Sequence, residues 1–327
     1  MPPAAPRSTM APRTRKSVSV ICVDVDGTLC DSTHQLPAAN AAALSEAMAR
    51  GVRVVLATGK MPGAWLPPLM GALGYPSDAV ALNAPSVTLN GLLVTNQDGT
   101  IASQQLMRRG AVQRALQVRS DHPRLTQIVF STDGLLAEEL DEWTEFAKQF
   151  QEPATKAIGK VAMEALASDG VGTRSNPGVF KITFWGKEED ITEAQPAIVT
   201  ALESECAVTR SLSTLIEVLP RGCGKSEGVK TALSILGAEL SEVLALGDGE
   251  NDAEMLKMVK EGGGVSVAMA NGMELTKAAA SEVGLTNDES GVADAVARFV
   301  FGHPGNLEGI GVVKSSPKQR RKPAAAL

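Results

Sequence analysis

Val18-Ser19-Val20-Ile21-Cys22-Val23-Asp24-Val25-Asp26-Gly27-Thr28-Leu29 is a run of apolar and β-branched residues that stops at two carboxylates one residue apart. A strand buried on both faces reads as continuous Val and Ile, and in an open α/β sheet ligands bind beyond the carboxyl ends of the strands. Asp24 and Asp26 are therefore expected at the ligand edge of a mostly parallel, doubly wound sheet. Residues i and i+2 of an extended chain point the same way, so two like charges are held side by side at a cost that a bound cation removes. Taken alone, the stretch also reads as a strand-to-turn junction, since Asp, Gly and Thr are common in turns. Three other stretches decide between the two.

Val243-Leu244-Ala245-Leu246 leads into Gly247-Asp248-Gly249-Glu250-Asn251-Asp252, and an amphipathic segment, Ala253 to Val259, follows. Acidic groups at a helix start are favoured by the macrodipole, which accounts for Glu250 and Asp252 but less well for Asp248. Clustered carboxylates at the ends of two strands point to a hard cation, with Mg²⁺ first because it uses few carboxylates plus water and substrate phosphate. A third strand, Val52 to Ala57, ends in Thr58-Gly59-Lys60, a hydroxyl and a backbone without Cβ bulk where an anion can approach. Lys225 opens the helical segment Glu227 to Leu233, where a cation opposes the helix dipole and an anionic partner explains it better. Gly224-Lys225-Ser226 suggests a nucleotide-binding P-loop, but Leu219 stands where that pattern needs its first glycine.

With these stretches in view, residues 18 to about 302 resemble the haloacid dehalogenase superfamily of phosphohydrolases, in its Cof-like branch. Gly247 to Asp252, Val267-Ala268-Met269-Ala270-Asn271 and Thr286 to Ala293 carry the detail. The resemblance implies Asp24 as nucleophile and Asp26 as general acid/base, with the Asp26 carbonyl serving the metal. It implies Thr58, Gly59, Lys225 and Asn251 on the substrate phosphate, a Mg²⁺ site made by Asp24, Asp26, Asp248 and Asp252, and Asn287 near the phosphate. Two positions depart from the family pattern: Lys60 where Arg is usual, and Asn83-Ala84-Pro85 where Asn-Gly-Ala is usual. The implied activity is Mg²⁺-dependent hydrolysis of a small phosphate ester, a sugar phosphate or similar, through an aspartyl-phosphate. The alternatives are a phosphomutase of the same superfamily and a non-catalytic module that binds through basic tails.

The 327 residues are 44% hydrophobic and 21% charged, enough for two domains with cores of their own. No apolar run approaches the roughly 18 residues of a membrane span. Cys22, Cys30, Cys206 and Cys223 form no Cys-x-x-Cys pair, which argues for a reducing compartment and against zinc. His34, His122 and His303 are scattered and read as surface or turn histidines. Residues 1–17 and 314–327 hold nine basic residues and no acid, and removing them from the net charge of −6 leaves −15 on residues 18–313. Residues 1–17 and 303–327, rich in Pro, Ala and Ser, are expected to be disordered. A cytoplasmic location is expected, with a plastid or other organelle as the alternative if the first tail is a transit segment. Nucleic acid is not an expected partner.

Residues 18–85 and 219–302 are expected to form the catalytic core, and 86–218 an inserted α+β cap that selects the substrate. Val87 to Val94 reads as a hairpin with an Asn90-Gly91 turn, followed by a second turn at Asn96 to Thr100. Helices are expected near 111–119, 140–150 and 191–203, and strands near 126–130, 179–185, 207–211 and 215–219. Three Trp and one Tyr make an aromatic cage for a flat base unobvious from composition.

Overall fold

The computed structural model describes residues 17–168 and 177–303, so nearly all of both basic tails lies outside the described residues. Along the chain, β1 (Val20–Val23), α1 (Ala38–Ala49), β2 (Arg53–Leu56) and α2 (Leu66–Ala72) precede three short strands, β3 (Ser86–Thr88), β4 (Leu93–Thr95) and β5 (Ile101–Gln104). The middle of the chain holds α3 (Arg109–Asp121), β6 (Thr126–Ser131), β7 (Gly134–Ala137), α4 (Glu142–Ala147), β8 (Lys156–Ala157), α5 (Gly159–Ala165), β9 (Val179–Trp185), α6 (Glu188–Leu202), β10 (Cys206–Leu212) and β11 (Leu215–Pro220). Then follow α7 (Lys225–Leu236), β12 (Val243–Gly247), α8 (Glu250–Glu261), β13 (Val265–Ala268), α9 (Glu274–Ala279), β14 (Glu282–Val283) and α10 (Gly291–Phe299).

Strands from both ends of the chain make one sheet, ordered β14-β13-β12-β1-β2. Every pairing in it is parallel. The continuous apolar strands expected from the sequence arise because both faces are covered. Ile21 and Val23 of β1 pack on α1, α2 and α10 through Leu44, Met70 and Val296. Val20 and Cys22 face the other way, onto Val229 and Leu233 of α7 and Met255 and Leu256 of α8. The chain leaves β1 and β12, which are neighbours, toward opposite edges of the sheet. The crevice at their carboxyl ends is the place where such sheets bind ligands.

A second sheet, ordered β10-β11-β9-β6-β7-β8, belongs to the inserted cap. One face is covered by α3, α5 and α6, through Val112, Met163 and Ile198 among others. The opposite face turns to the core, where Phe130, Phe180, Trp185 and Leu215 meet Met61, Leu89 and Leu92. The expected helices and strands all form, and β7, β8 and α5, which the sequence did not suggest, complete the sheet edge and one helical cover. Although aromatic residues are few, Trp143, Phe146, Phe150 and Trp185 make a connected ring cluster with centroids 5.6 to 6.2 Å apart. Composition does not report such convergence.

The hairpin at 86–95 forms, but it packs with the core. Strands β3 to β5 make a sheet of their own, and Val87 and Val94 join the cluster of β1, β2 and α7. A Cβ on Gly228 would lie 2.4 Å from Val87 Cγ1 and 2.7 Å from Gly91 Cα, so glycine in α7 is what lets the hairpin backbone close on the helix. Alternation and turn chemistry define a hairpin locally and are silent on which domain it will join.

Asn40 of α1 is fully buried; its amide donates to Leu29 O at 2.9 Å and accepts from Ala293 N at 3.0 Å, tying α1 and α10 to the loop after β1. Asn40→Ala leaves two buried backbone groups unpaired and is expected to destabilise the core by about 2–4 kcal/mol, read as an earlier urea transition. An unchanged transition would contradict this account.

Candidate active site

Asp24 follows β1 directly, with its amide held by Leu246 O at 3.0 Å. It is 6% exposed, and its Oδ1 accepts from Lys225 Nζ at 2.7 Å. The same ammonium donates to Asp252 Oδ1 at 2.6 Å, with no exposed surface on either side chain. Lys225 is the first residue of α7, and its side chain reaches both carboxylates. Burial works to lower the Lys225 pKa, but Asp24 and Asp252 together hold it above its ordinary value. Burial pushes Asp24 well above the usual carboxylate range; Lys225 opposes this, and the charges of Asp252 and Asp248 add to it. One ammonium therefore does not balance the carboxylates around it.

Asp248, at the end of β12, is also raised, first by burial and then by Asp252, against a hydrogen bond from the Thr28 hydroxyl at 2.8 Å. Gly27 has φ +72°, and a Cβ there would stand 2.3 Å from Asp248 Oδ2, so the turn after β1 needs glycine for conformation and for space. Asp24, Asp248 and Asp252 each offer an oxygen within 4.8 Å of the others. Asp252, however, already accepts from Lys225 on one oxygen and from the amides of Asp248 and Gly249, both at 3.0 Å, on the other. Asp24 and Asp248 keep lone pairs unengaged by the described residues, and two adjacent carboxylates raised by burial and by the charge of Asp252 fit a hard divalent cation. Asp252 fits better as the anchor of Lys225 and of the strand-to-helix turn.

The Asp26 side chain points away from this cluster. Its Oδ1 accepts from Lys60 Nζ at 2.7 Å and lies 3.2 Å from His34 Nδ1. His34, expected to be an ordinary turn residue, does sit in a turn with φ +59° but touches Asp26 as well. Nothing in its spacing from the motif signals that contact, which the fold of the loop creates. Thr58 is 1% exposed, with its Oγ1 accepting from Lys60 N at 3.1 Å and its hydroxyl proton left for another acceptor. The 58–60 loop is bonded to the hairpin by Thr58 N to Val87 O (2.9 Å), Asn90 N to Thr58 O (3.0 Å) and Leu89 N to Lys60 O (3.0 Å). Asn251 donates to Asn90 Oδ1 at 2.8 Å, and that oxygen would lie 3.0 Å from a Cβ on Gly59. Asn90, read from sequence as a turn residue only, thus joins Gly59 to Asn251.

Three asparagines hold the backbone near the site. Asn287 donates its side-chain amide to Cys30 O at 3.0 Å and its backbone amide to Asn271 Oδ1 at 2.9 Å, while Asn271 donates to Gly27 O at 2.8 Å. Asn83 accepts from Val54 N at 2.8 Å and donates to Val52 O at 2.7 Å, so it pairs with the open edge of β2 as a strand would.

Comparison with known proteins adds to this geometry. The family profile described as haloacid dehalogenase-like hydrolase matches residues 21–296. The chain belongs to the haloacid dehalogenase-like hydrolases. It is 34% identical over 286 residues to an Arabidopsis thaliana protein named chloroplastic endoribonuclease YBEY; the match takes 86% of this chain but 47% of that protein, so the chain spans about half of its length. It is 26% identical over 291 residues to the Bacillus subtilis 5-amino-6-(5-phospho-D-ribitylamino)uracil phosphatase YcsE, covering 87% of this chain and 96% of that one. The crystal structure of a haloacid dehalogenase-like hydrolase from Bacteroides thetaiotaomicron has a TM-score of 0.72 and 25% identity, with 86% of this chain and 99% of that chain covered. The fold expected of the family, a parallel-sheet core with an inserted α+β cap, is the one observed.

Replacing Lys225 by Met leaves Asp24 and Asp252 facing one another without a cation. Breaking a buried pair in this way is expected to cost about 3–5 kcal/mol. Added Mg²⁺ should raise the melting temperature of Lys225→Met more than that of the unsubstituted chain, because bound charge replaces the lost ammonium. Equal shifts in the two proteins would argue against a cation site beside Asp24.

Proposed function

We propose that the chain is a Mg²⁺-dependent phosphomonoesterase that acts on small phosphorylated metabolites through an aspartyl-phosphate on Asp24. The observation that carries this reading is the separation of two neighbouring carboxylates into different surroundings. Asp24 is buried against Lys225 and Asp248, whereas Asp26 is partly open and held by Lys60 and His34. Two carboxylates with divergent environments suit two roles.

In the first step an Asp24 carboxylate oxygen bonds to phosphorus as the phosphorus–leaving-group bond breaks, and Asp26 gives its proton to the departing oxygen. In the second, water attacks the aspartyl-phosphate, Asp26 takes a proton from that water, and inorganic phosphate leaves with Asp24 restored. Splitting the reaction this way makes two easier steps of one, and positioned acid/base help is typically worth about 10²–10⁴ in rate. Lys225 offsets negative charge beside the transferring group, and the Thr58 hydroxyl has a proton to donate to a phosphate oxygen. Asn251, tied to Asn90, and the backbone of Gly59 line the same approach. Asp24 and Asp248, with the Asp26 carbonyl, would hold the Mg²⁺, which when bound supplies electrostatic stabilisation of the phosphoryl oxygens.

The Bacillus relative supports a small-molecule substrate, since its name describes a phosphate ester on a ribityl chain. The family description supports hydrolysis over mutase chemistry. No helix among the described residues is long and apolar enough to cross a membrane. We take the cytoplasm as the compartment and a plastid as the alternative, to which the chloroplastic relative and the acid-free segment 1–17 both lend support.

Phosphate release from p-nitrophenyl phosphate tests the reading. Asp24→Asn is expected to lower turnover by at least about 10³-fold. Excess chelator should abolish activity, and Mg²⁺ should restore it better than Ca²⁺, whose longer, looser coordination disturbs in-line geometry. Wild-type turnover by the Asn variant, or full activity in chelator, would overturn the mechanism.

A further inference from the structure

A cavity of about 590 Å³ opens between α3 and α5, on the face of the cap sheet turned away from the core. Its floor is made by β6 and the end of β7. Helices on a sheet normally meet through apolar stripes, but α3 turns Gln113 and Gln117 into this space and α5 presents Lys160 and Glu164. Long polar side chains at helical spacing on both walls do not close on one another as an apolar seam would. Leu116 and Met163 supply an apolar lining between them.

The floor holds a polar group with nothing to satisfy it. Gln127 of β6 lines the cavity and is 3% exposed. Its amide nitrogen donates to Ala115 O of α3 at 2.9 Å, which sets the orientation of the amide. Its Oε1 is the one buried side-chain nitrogen or oxygen among the described residues with no hydrogen-bond partner. A buried acceptor left without a donor is costly.

Glu138 stands beside it. The pairing of β6 with β7 sets Val129 opposite Leu136, and the same register carried two residues further, on the same face of the sheet, sets Gln127 opposite Glu138. Glu138 is half-buried and lines the cavity, and its carboxylate has no hydrogen-bond or ion-pair partner among the described residues. Asp141, which also lines the cavity, is by contrast engaged by the Thr126 hydroxyl and by the amides of Trp143 and Thr144 at 3.0 and 2.9 Å. Gln127 and Glu138 therefore form an end of the floor that only accepts hydrogen bonds. A water molecule brings donors without charge. An ammonium brings three donors and a positive charge, and such charge-assisted bonds are about twice as strong as neutral ones.

We propose that the cavity between α3 and α5 is a second ligand site, separate from the Asp24 cluster, and that it takes an aliphatic primary amine. The ammonium donates to Gln127 Oε1 and to the Glu138 carboxylate, while the hydrocarbon part lies along Leu116 and Met163. The volume falls in the range of small-molecule sites, about 300–1,000 Å³. None of these residues takes part in the chemistry proposed above, so the site stands or falls independently of it.

Titration calorimetry of the full chain in saturating Mg²⁺, with hexylamine, 1-hexanol and hexanoate as probes of equal chain length, tests the site. Hexylamine is expected to bind with a Kd of about 1 mM or tighter, and the alcohol and the acid at least about tenfold more weakly. Glu138→Gln should weaken hexylamine at least about tenfold, the loss of one charged hydrogen bond. Gln113→Trp, at an exposed helix position where folding tolerates the change, should fill the cavity and abolish binding. Asp248→Asn should leave the Kd unchanged, because the amine does not sit in the Asp24 cluster. Absence of saturable hexylamine binding would leave water as the partner of Gln127 and overturn the site. Equal affinity for 1-hexanol, or a Kd that responds to Asp248→Asn and not to Gln113→Trp, would overturn it as well.

Discussion

The Lys225 ammonium lies buried between Asp24 and Asp252, and most of the site is arranged around that contact. Asp24 ends β1 and Asp252 sits in the first turn of α8, while Lys225 begins α7. One cation therefore binds three elements that are distant in sequence. A buried charge must be matched closely, so the three backbones are held in register at the point where chemistry is proposed. The same contact sets the electrostatics. Lys225 is shared, Asp252 is engaged on both oxygens, and Asp24 and Asp248 carry the unbalanced charge.

Around this contact the fold provides close backbone approaches. Gly27 lets the first turn lie against Asp248, and Gly228 lets the hairpin lie against α7. The hairpin then fixes Thr58, Gly59 and Lys60 by three main-chain hydrogen bonds and brings Asn90 to Asn251. A segment that resembles an appendage to the cap is in this way part of the phosphate side of the core. The cap comes to the same place from the other direction, with Glu152 on the amide of Met61, the residue after Lys60.

Much of this was legible in the sequence because it depends on local rules. Continuous Val and Ile at β1, with carboxylates where the run ends, reflects a strand covered on both sides, and Ile21 and Cys22 do face opposite clusters. The cap strands and helices declared themselves by alternation and by helical period. Less visible were β8, two residues long, and β7, a short strand beside a glycine, because such pieces hold their conformation through neighbours rather than through pattern. Asn287, implied near the phosphate, holds the Cys30 carbonyl of the loop after β1, and Asn83 satisfies backbone groups of β2, contacts that residue type does not announce.

The sequence by itself determined most of the strands and helices, with β7, β8 and α5 as exceptions, the apolar faces, and the placing of Asp24, Asp26, Thr58, Lys225 and Asp248 at element ends, since burial periodicity and turn chemistry act over a few residues. Tertiary structure alone decided which of those groups meet. It turned Asp26 toward Lys60 and His34, engaged both oxygens of Asp252, brought Glu152 to the Met61 amide and paired Lys181 with Glu217. Most of these contacts join residues 27 to 91 positions apart. Their partners are fixed by sheet register, by the angle at which the cap meets the core, and by the charge balance of a buried space, none of which is a property of a local stretch of chain.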